Sequence, residues 1–146
     1  MASQTTPNSY GARVTPKNAN TRTVAADKLV QQGRLAKAKQ FLQVADDARE
    51  LSDGEDVADA SVTLYVHAGI AAEDAICAGA LGKHAKGQDH QDAVALLASV
   101  DKQASSSLSV LLGMKTRAGY GHDPISETNL ARAERAARSL VEKASL

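Results

Sequence analysis

Ala60-Ser-Val-Thr-Leu-Tyr-Val-His-Ala-Gly-Ile-Ala-Ala-Glu-Asp-Ala-Ile-Cys-Ala78 is the stretch whose reading decides the fold. Ala60, Leu64, Ala68, Ala71, Ala75 and Ala78 recur at steps of three and four, the period of one helix face. Val62, Val66, Ile70 and Cys77 extend the apolar surface towards a second face. A helix apolar over so much of its girth has to touch more than one neighbour, so it is expected at the centre of the molecule. Its span is read as Glu55 to about His84, with Gly82 and Gly87 framing its end.

The flanking sequence supplies the neighbours. A first helix is expected from Thr23 or Val24 to about Ser52, kinked at Gly33, with Leu35, Ala38, Leu42, Ala45 and Ala48 as its stripe and Phe41, Val44 and Leu51 beside it. Ser52-Asp-Gly54 is a stop and turn. A third helix is expected from His90 to Thr116, capped by Asp89. Its register of Ala93, Leu97, Val100, Ala104, Leu108 and Leu111 carries across Ser105–Ser107, so it reads as one helix. The last helix starts at Ser126, a good N-cap, with Ile125 and Leu130 placed as a hydrophobic staple. Its stripe is Leu130, Ala133, Ala137, Leu140, Val141 and Ala144. Four amphipathic helices with short connections predict an all-α fold, an antiparallel four-helix bundle over residues 23–146.

Composition agrees. The 146 residues are 43 % apolar, with one Phe, three Tyr and no Trp, so the core must be built from Ala, Leu and Val. That length suits one domain. The single Cys77 excludes an internal disulfide and fits a reducing compartment. No uninterrupted apolar run approaches the ~20 residues of a membrane span, and the first residues lack a secretory apolar region, so a cytoplasmic protein without membrane contact is expected. Residues 1–22 are rich in Ser, Thr, Asn, Gly and Pro and read as a disordered basic tail carrying Arg13, Lys17 and Arg22. Seventeen basic residues balance seventeen acidic ones, which excludes a general nucleic-acid binder but leaves local basic regions at both ends.

Helix-breaking residues and reactive groups coincide in Lys115-Thr-Arg117-Ala-Gly-Tyr-Gly-His122-Asp-Pro124. On a continuous helix, Arg117 and His122 would lie about 140° apart. Gly119 and Gly121 are expected to end the helix, leaving Arg117 in its last turn and His122 on the loop. Arg offers a permanent charge and a planar fork of donors for phosphate, and His transfers protons near neutral pH. Together they suffice for RNA cleavage without a metal or cofactor: His122 moves the proton of the 2′-hydroxyl or of the leaving oxygen, and Arg117 stabilises the anionic transition state. Tyr120 can stack on a base and Lys115 can attract phosphate, with Asp123 and Ser126 as further substrate contacts.

Arg117-Ala-Gly-Tyr-Gly-His122 resembles the Arg-x(4–6)-His motif of HEPN domains. The segments Val66–Ile76, Gly87-Gln-Asp-His90 and Leu111–Arg117 look like those of small actinobacterial HEPN proteins, and the resemblance covers roughly residues 34–144. It implies a four-helix bundle, a homodimer whose two motifs face a shared cleft, and RNase activity of the toxin–antitoxin or phage-defence kind, with RNA as substrate and an antitoxin or other protein as partner. The chain departs from the family pattern in having Ala118 where a polar residue is common, and no acid in the turns before Arg117. Those departures match a second reading, a non-catalytic HEPN module that binds nucleotide, nucleic acid or a partner protein.

Other residues have structural readings. His67 and Asp74, seven apart with apolar neighbours, read as a buried polar pair or a second pocket. At 1.5 Å per residue, Asp74 lies roughly 24 Å from the level of Arg117, whereas Asp56 and Asp59 lie near it. His84 and His90 with Asp89 lack a third metal partner and read as a solvated turn. Cys77 reads as a small buried hydrophobe. Arg132, Arg135 and Arg138 read as a solvated face with Glu134–Arg138 and Arg138–Glu142 pairs, or as a surface that tracks RNA.

Overall fold

A computed structural model of the chain describes residues 22–52, 54–86 and 90–146, and helices dominate them. The helices are α1 (Lys28–Leu51), α2 (Ala58–Leu81), α3 (His90–Ala98), α4 (Lys102–Tyr120) and α5 (Glu127–Ala144). One 3₁₀ turn, Gly54–Val57, leads into α2, and two short strands, β1 (Thr23–Ala25) and β2 (Lys83–Ala85), complete the order. The all-α expectation therefore holds, with a small two-stranded sheet added.

Helix α2 is the centre. Val62, Tyr65, Val66, Ala68, Ala71, Ala72, Ala75 and Cys77 are fully buried, and α1, α4 and α5 all pack on it. Small side chains allow close approach. A Cβ on Gly69 would sit 2.3 Å from Leu111 Cδ1 and 3.3 Å from Leu140 Cδ1, so α4 and α5 both close over this point of α2. Among the described residues α2 is also the one helix long and apolar enough to cross a membrane. Most of its apolar side chains are packed against the other helices. The expected stripe holds except at Ala60, which is exposed.

Several boundaries differ from the sequence reading: α2 starts at Ala58 after the 3₁₀ turn rather than at Glu55, α4 runs on to Tyr120 rather than Thr116, and others shift for local reasons. The first helix does not start at Thr23. Thr23–Ala25 pairs antiparallel with Lys83–Ala85 in the register Thr23↔Ala85, Val24↔His84 and Ala25↔Lys83. Asp27 then caps α1, its Oδ1 accepting from Val30 N at 3.0 Å. The helix passes unbroken through Gly33, and Leu51, expected beside its stripe, is 86 % exposed. The second helix stops at Leu81 rather than His84. Gly82 takes a left-handed φ of 69°, a conformation that favours glycine, and turns the chain back along β1.

The expected third helix is two helices. The break is not at Ser105–Ser107, where Ser105 and Ser106 hydroxyls donate to the carbonyl of Lys102 and the helix continues. It lies at Ser99–Asp101. Ser99 N and Val100 N donate to carbonyls three residues back, and Ser99 Oγ competes for the carbonyl of Leu96 at 2.6 Å. Asp101 then caps α4, accepting from Ala104 N at 3.0 Å, while Lys143 binds its other oxygen at 2.9 Å. The Lys143 ammonium and then the Ala104 N–H hold the Asp101 carboxyl below its ordinary range. Asp89, the expected cap of the third helix, lies outside the described residues, as does the tail apart from Arg22. Helix α5 matches its expected start and stripe: Ser126 Oγ accepts from Asn129 N, and Ile125 and Leu130 are both buried.

The core is not wholly apolar. Glu73 is 1 % exposed and its Oε2 has no hydrogen-bond partner among the described residues. Burial first, and then the neighbouring Asp74 carboxylate, push its pKa up to about 9. Burial likewise raises the thiol of Cys77, one turn further on.

Two measurements check this packing. Gly69→Leu should cost roughly 1–3 kcal/mol in urea unfolding because Leu111 and Leu140 leave no room, whereas Gly33→Ala, with open space around it, should stabilise by about 0.5–1 kcal/mol. The unfolded Glu73 carboxyl ionises near its ordinary value of 4.5, but the folded one holds its proton until about pH 9. The folded state thus binds more protons between those values, and stability should fall as pH rises through that window. Glu73→Gln should flatten this slope and be the more stable protein at pH 8.

Candidate functional site

The end of α4 is built from its exit turn. Gly121 N–H donates to Arg117 O at 3.1 Å, closing the helix. A Cβ at Gly121 would lie 2.9 Å from that same carbonyl oxygen, so this tight exit needs glycine. Four residues later, Ile125 turns into the core and its N–H donates to Asp59 Oδ1 at 2.9 Å. Ser126 then caps α5. The turn is therefore held by α4 at one end and by α2 and α5 at the other. Asp59, read from sequence as level with Arg117, is half-buried and fixes the turn rather than orienting the guanidinium.

The expected residues take different positions on this frame. Arg117 lies in the last turn of α4, where the helix dipole favours a cation, and it is exposed. Among the described residues its guanidinium has no hydrogen bond or ion pair. His122 follows on the turn with its side chain 95 % exposed, 3.4 Å from Asp123. Ala118, between the motif residues, is 9 % exposed and packs into the core. A polar side chain there would be buried.

Arg117 borders a cavity of about 290 Å³ between α4 and α5, with Asn129 and Arg132 on its wall. Lys115 and Tyr120 border another, of about 190 Å³, with Thr63 and His67 of α2. Two helical residues span about 200°, so Lys115 and Arg117 point to opposite sides of α4. One chain therefore does not bring Arg117, His122, Lys115 and Tyr120 onto a single ligand. Lys115 Nζ is instead 3.1 Å from His90 Nε2. Ser126 Oγ serves as a cap, and Asp123 remains beside His122.

The other sequence candidates are placed as follows. Asp74 meets Arg34 at 2.9 Å and His84 at 3.6 Å, an ion cluster that ties α1, α2 and β2 together. It does not pair with His67, which is exposed and whose ring centre lies 5.6 Å from that of Phe41. Sequence reasoning missed the place of His67 beside Lys115 and Tyr120, and no spacing rule could have found it, because two separate helices, α2 and α4, supply the members. Among the described residues no group of three His, Cys, Asp or Glu gathers as a metal site.

On α5 the three arginines divide. Arg138 binds Asp46 at 2.7 Å and Glu134 at 3.1 Å, the second being the expected i,i+4 pair. Arg49 joins Glu134 and Glu127. Buried Tyr65 donates to Asp46 at 2.6 Å, and burial followed by that carboxylate raises its phenol. This network lines a cavity of about 470 Å³ between α1 and α5, but its cations are already paired. Arg132 and Arg135 are exposed and carry no carboxylate partner among the described residues.

Asp59→Ala should leave the Ile125 N–H without its partner and destabilise the protein by about 1–3 kcal/mol in chemical unfolding. Asp59→Asn, which keeps an acceptor oxygen, should recover most of that loss.

Compared with known proteins, the chain matches no family model and no curated sequence. The functional reading rests on the geometry of the α4 exit and on the chemistry of its residues.

Proposed function

We propose that the chain is a HEPN-type, metal-independent endoribonuclease that acts as a cytoplasmic homodimer, with α1, α2, α4 and α5 as the antiparallel four-helix bundle. The observation that carries this reading is the pairing of an exposed, unneutralised Arg117 with an exposed His122 across a turn pinned by Gly121, Asp59 and Ser126. An arginine free of carboxylates keeps its full donor fork for phosphate. Within one chain the two groups share no enclosed space, so a second copy completes the cleft. There the 2′-oxygen of a ribose attacks the adjacent phosphorus and the bond to the 5′-oxygen breaks, leaving a 2′,3′-cyclic phosphate. His122 takes the 2′-hydroxyl proton or returns one to the leaving oxygen, and Arg117 stabilises the negative charge gathered on the phosphorus oxygens. As in toxin–antitoxin systems, such an activity calls for an inhibitory partner.

The buried Ala118 favours a second reading, a HEPN module that binds without cutting. The cavity at Lys115, His67 and Tyr120 offers an ammonium and two rings, which suit a nucleotide or an RNA base with its phosphate.

Purified protein should cleave RNA in EDTA and leave cyclic-phosphate ends, and His122→Ala should lower the rate by about 10²–10⁴-fold with an unchanged circular dichroism spectrum. Undiminished cleavage by that variant overturns the site. Binding without cleavage by the wild type, across pH and salt, selects the second reading.

A further inference from the structure

We infer that the groove between α4 and α5 is a track for the phosphate backbone of single-stranded RNA, running from Arg117 past Arg132 to Arg135. This deepens the RNA reading above and rests on it. Two adjoining cavities, of about 290 and 300 Å³, make the groove, and they share Val110 and Arg132 as wall residues. Arg117 stands at one end, Arg132 in the middle and Arg135 further along, with the hydroxyls of Ser106 and Ser107 on the facing helix. From Ser106 to Arg117 the groove follows eleven residues of α4, roughly 16 Å at the helical rise.

The charge pattern is what sets this groove apart. No Asp or Glu is among its lining residues within the described part of the chain. Arg132 donates to the neutral amide oxygen of Asn129 at 3.1 Å, and the guanidinium groups of Arg135 and Arg117 have no hydrogen bond or ion pair among the described residues. The contrast is Arg138, one turn beyond Arg135, whose guanidinium is held by Asp46 and Glu134 on the other side of α5. In a net-neutral chain, three arginines without carboxylate partners along one carboxylate-free groove fit a polyanion. The serine and asparagine side chains add neutral hydrogen-bonding groups of the kind that contact phosphate and sugar. Because the track begins at Arg117, a strand lying in it leads directly to the proposed cleavage site. The cavity of Lys115 and Tyr120 opens on the opposite side of α4 and is not part of it.

The test uses the full chain and a dye-labelled 2′-O-methyl RNA oligonucleotide, which binds but offers no 2′-hydroxyl for cleavage. Anisotropy titrations over a range of NaCl should give a log K against log salt slope of about −2, since three phosphate contacts contribute about 0.7 each. Arg132→Gln with Arg135→Gln should reduce the slope to about −0.7, whereas Lys37→Gln with Lys39→Gln on α1, which removes the same charge, should leave it near −2. Equal effects of the two double variants, an unchanged slope in the arginine variant, absence of RNA binding, or competition by an acidic peptide alone overturns the track. Groove-dependent binding with unmodified RNA left uncut supports the track and rejects the ribonuclease.

Discussion

The rest of this molecule is organised by the burial of most of the middle of α2, which leaves only a narrow strip through His67 facing solvent. Its alanines, valines and one glycine need cover on all sides but that strip, and α1, α4 and α5 provide it. The contact of Gly69 with Leu111 and Leu140 is the tightest point of that cover. Hydrophobic burial scales with area, and alanine supplies little of it per residue, so this core relies on close approach rather than on large side chains. The same packing sets the site. With α4 laid against α2, its last turn arrives at the level where Asp59 can accept from Ile125.

Polar groups mark where the structure departs from a purely apolar helical core. Glu73 and Ser61 are buried in α2 with side-chain oxygens unpartnered among the described residues, which opposes folding. The ion clusters Arg34–Asp74–His84 and Arg49–Glu134–Arg138–Asp46 lie nearer the surface and join helix to helix. Partly exposed pairs of this kind contribute little each, and their main effect is to fix which helix faces lie opposite one another.

How much could be read in advance depended on whether the signal was local. Helix α5 was legible from its cap, staple and stripe, because each is set within a few residues of Ser126. The exit of α4 was legible for the same reason: Gly121 has to follow Arg117 at a fixed distance. The break at Ser99–Asp101 was hidden, since Leu97 and Ala104 are buried on either side of it and the apolar period runs on across a change of direction. Three-residue strands have no period to read, and the pairing of β1 with β2 depends on Gly82 turning the chain out of α2 alongside a segment about sixty residues earlier in the sequence. The sorting of Arg132 and Arg135 from Arg138 was equally out of reach, because it depends on Asp46, ninety-two residues from Arg138. Lys115 and Arg117 were read as one cluster by proximity in sequence, yet two helical steps set them on opposite sides of α4.

The proposed site is thus a frame, pinned at both ends, that presents an arginine and a histidine outwards without joining them. Two copies facing one another would supply what one lacks. Mixing the inactive Arg117→Ala and His122→Ala proteins after subunit exchange tests this directly. The account predicts that the mixture regains EDTA-resistant RNA cleavage, because the heterodimer holds one intact arginine and one intact histidine across the cleft. A mixture that remains inactive, with heterodimers verified by native mass spectrometry, would contradict it.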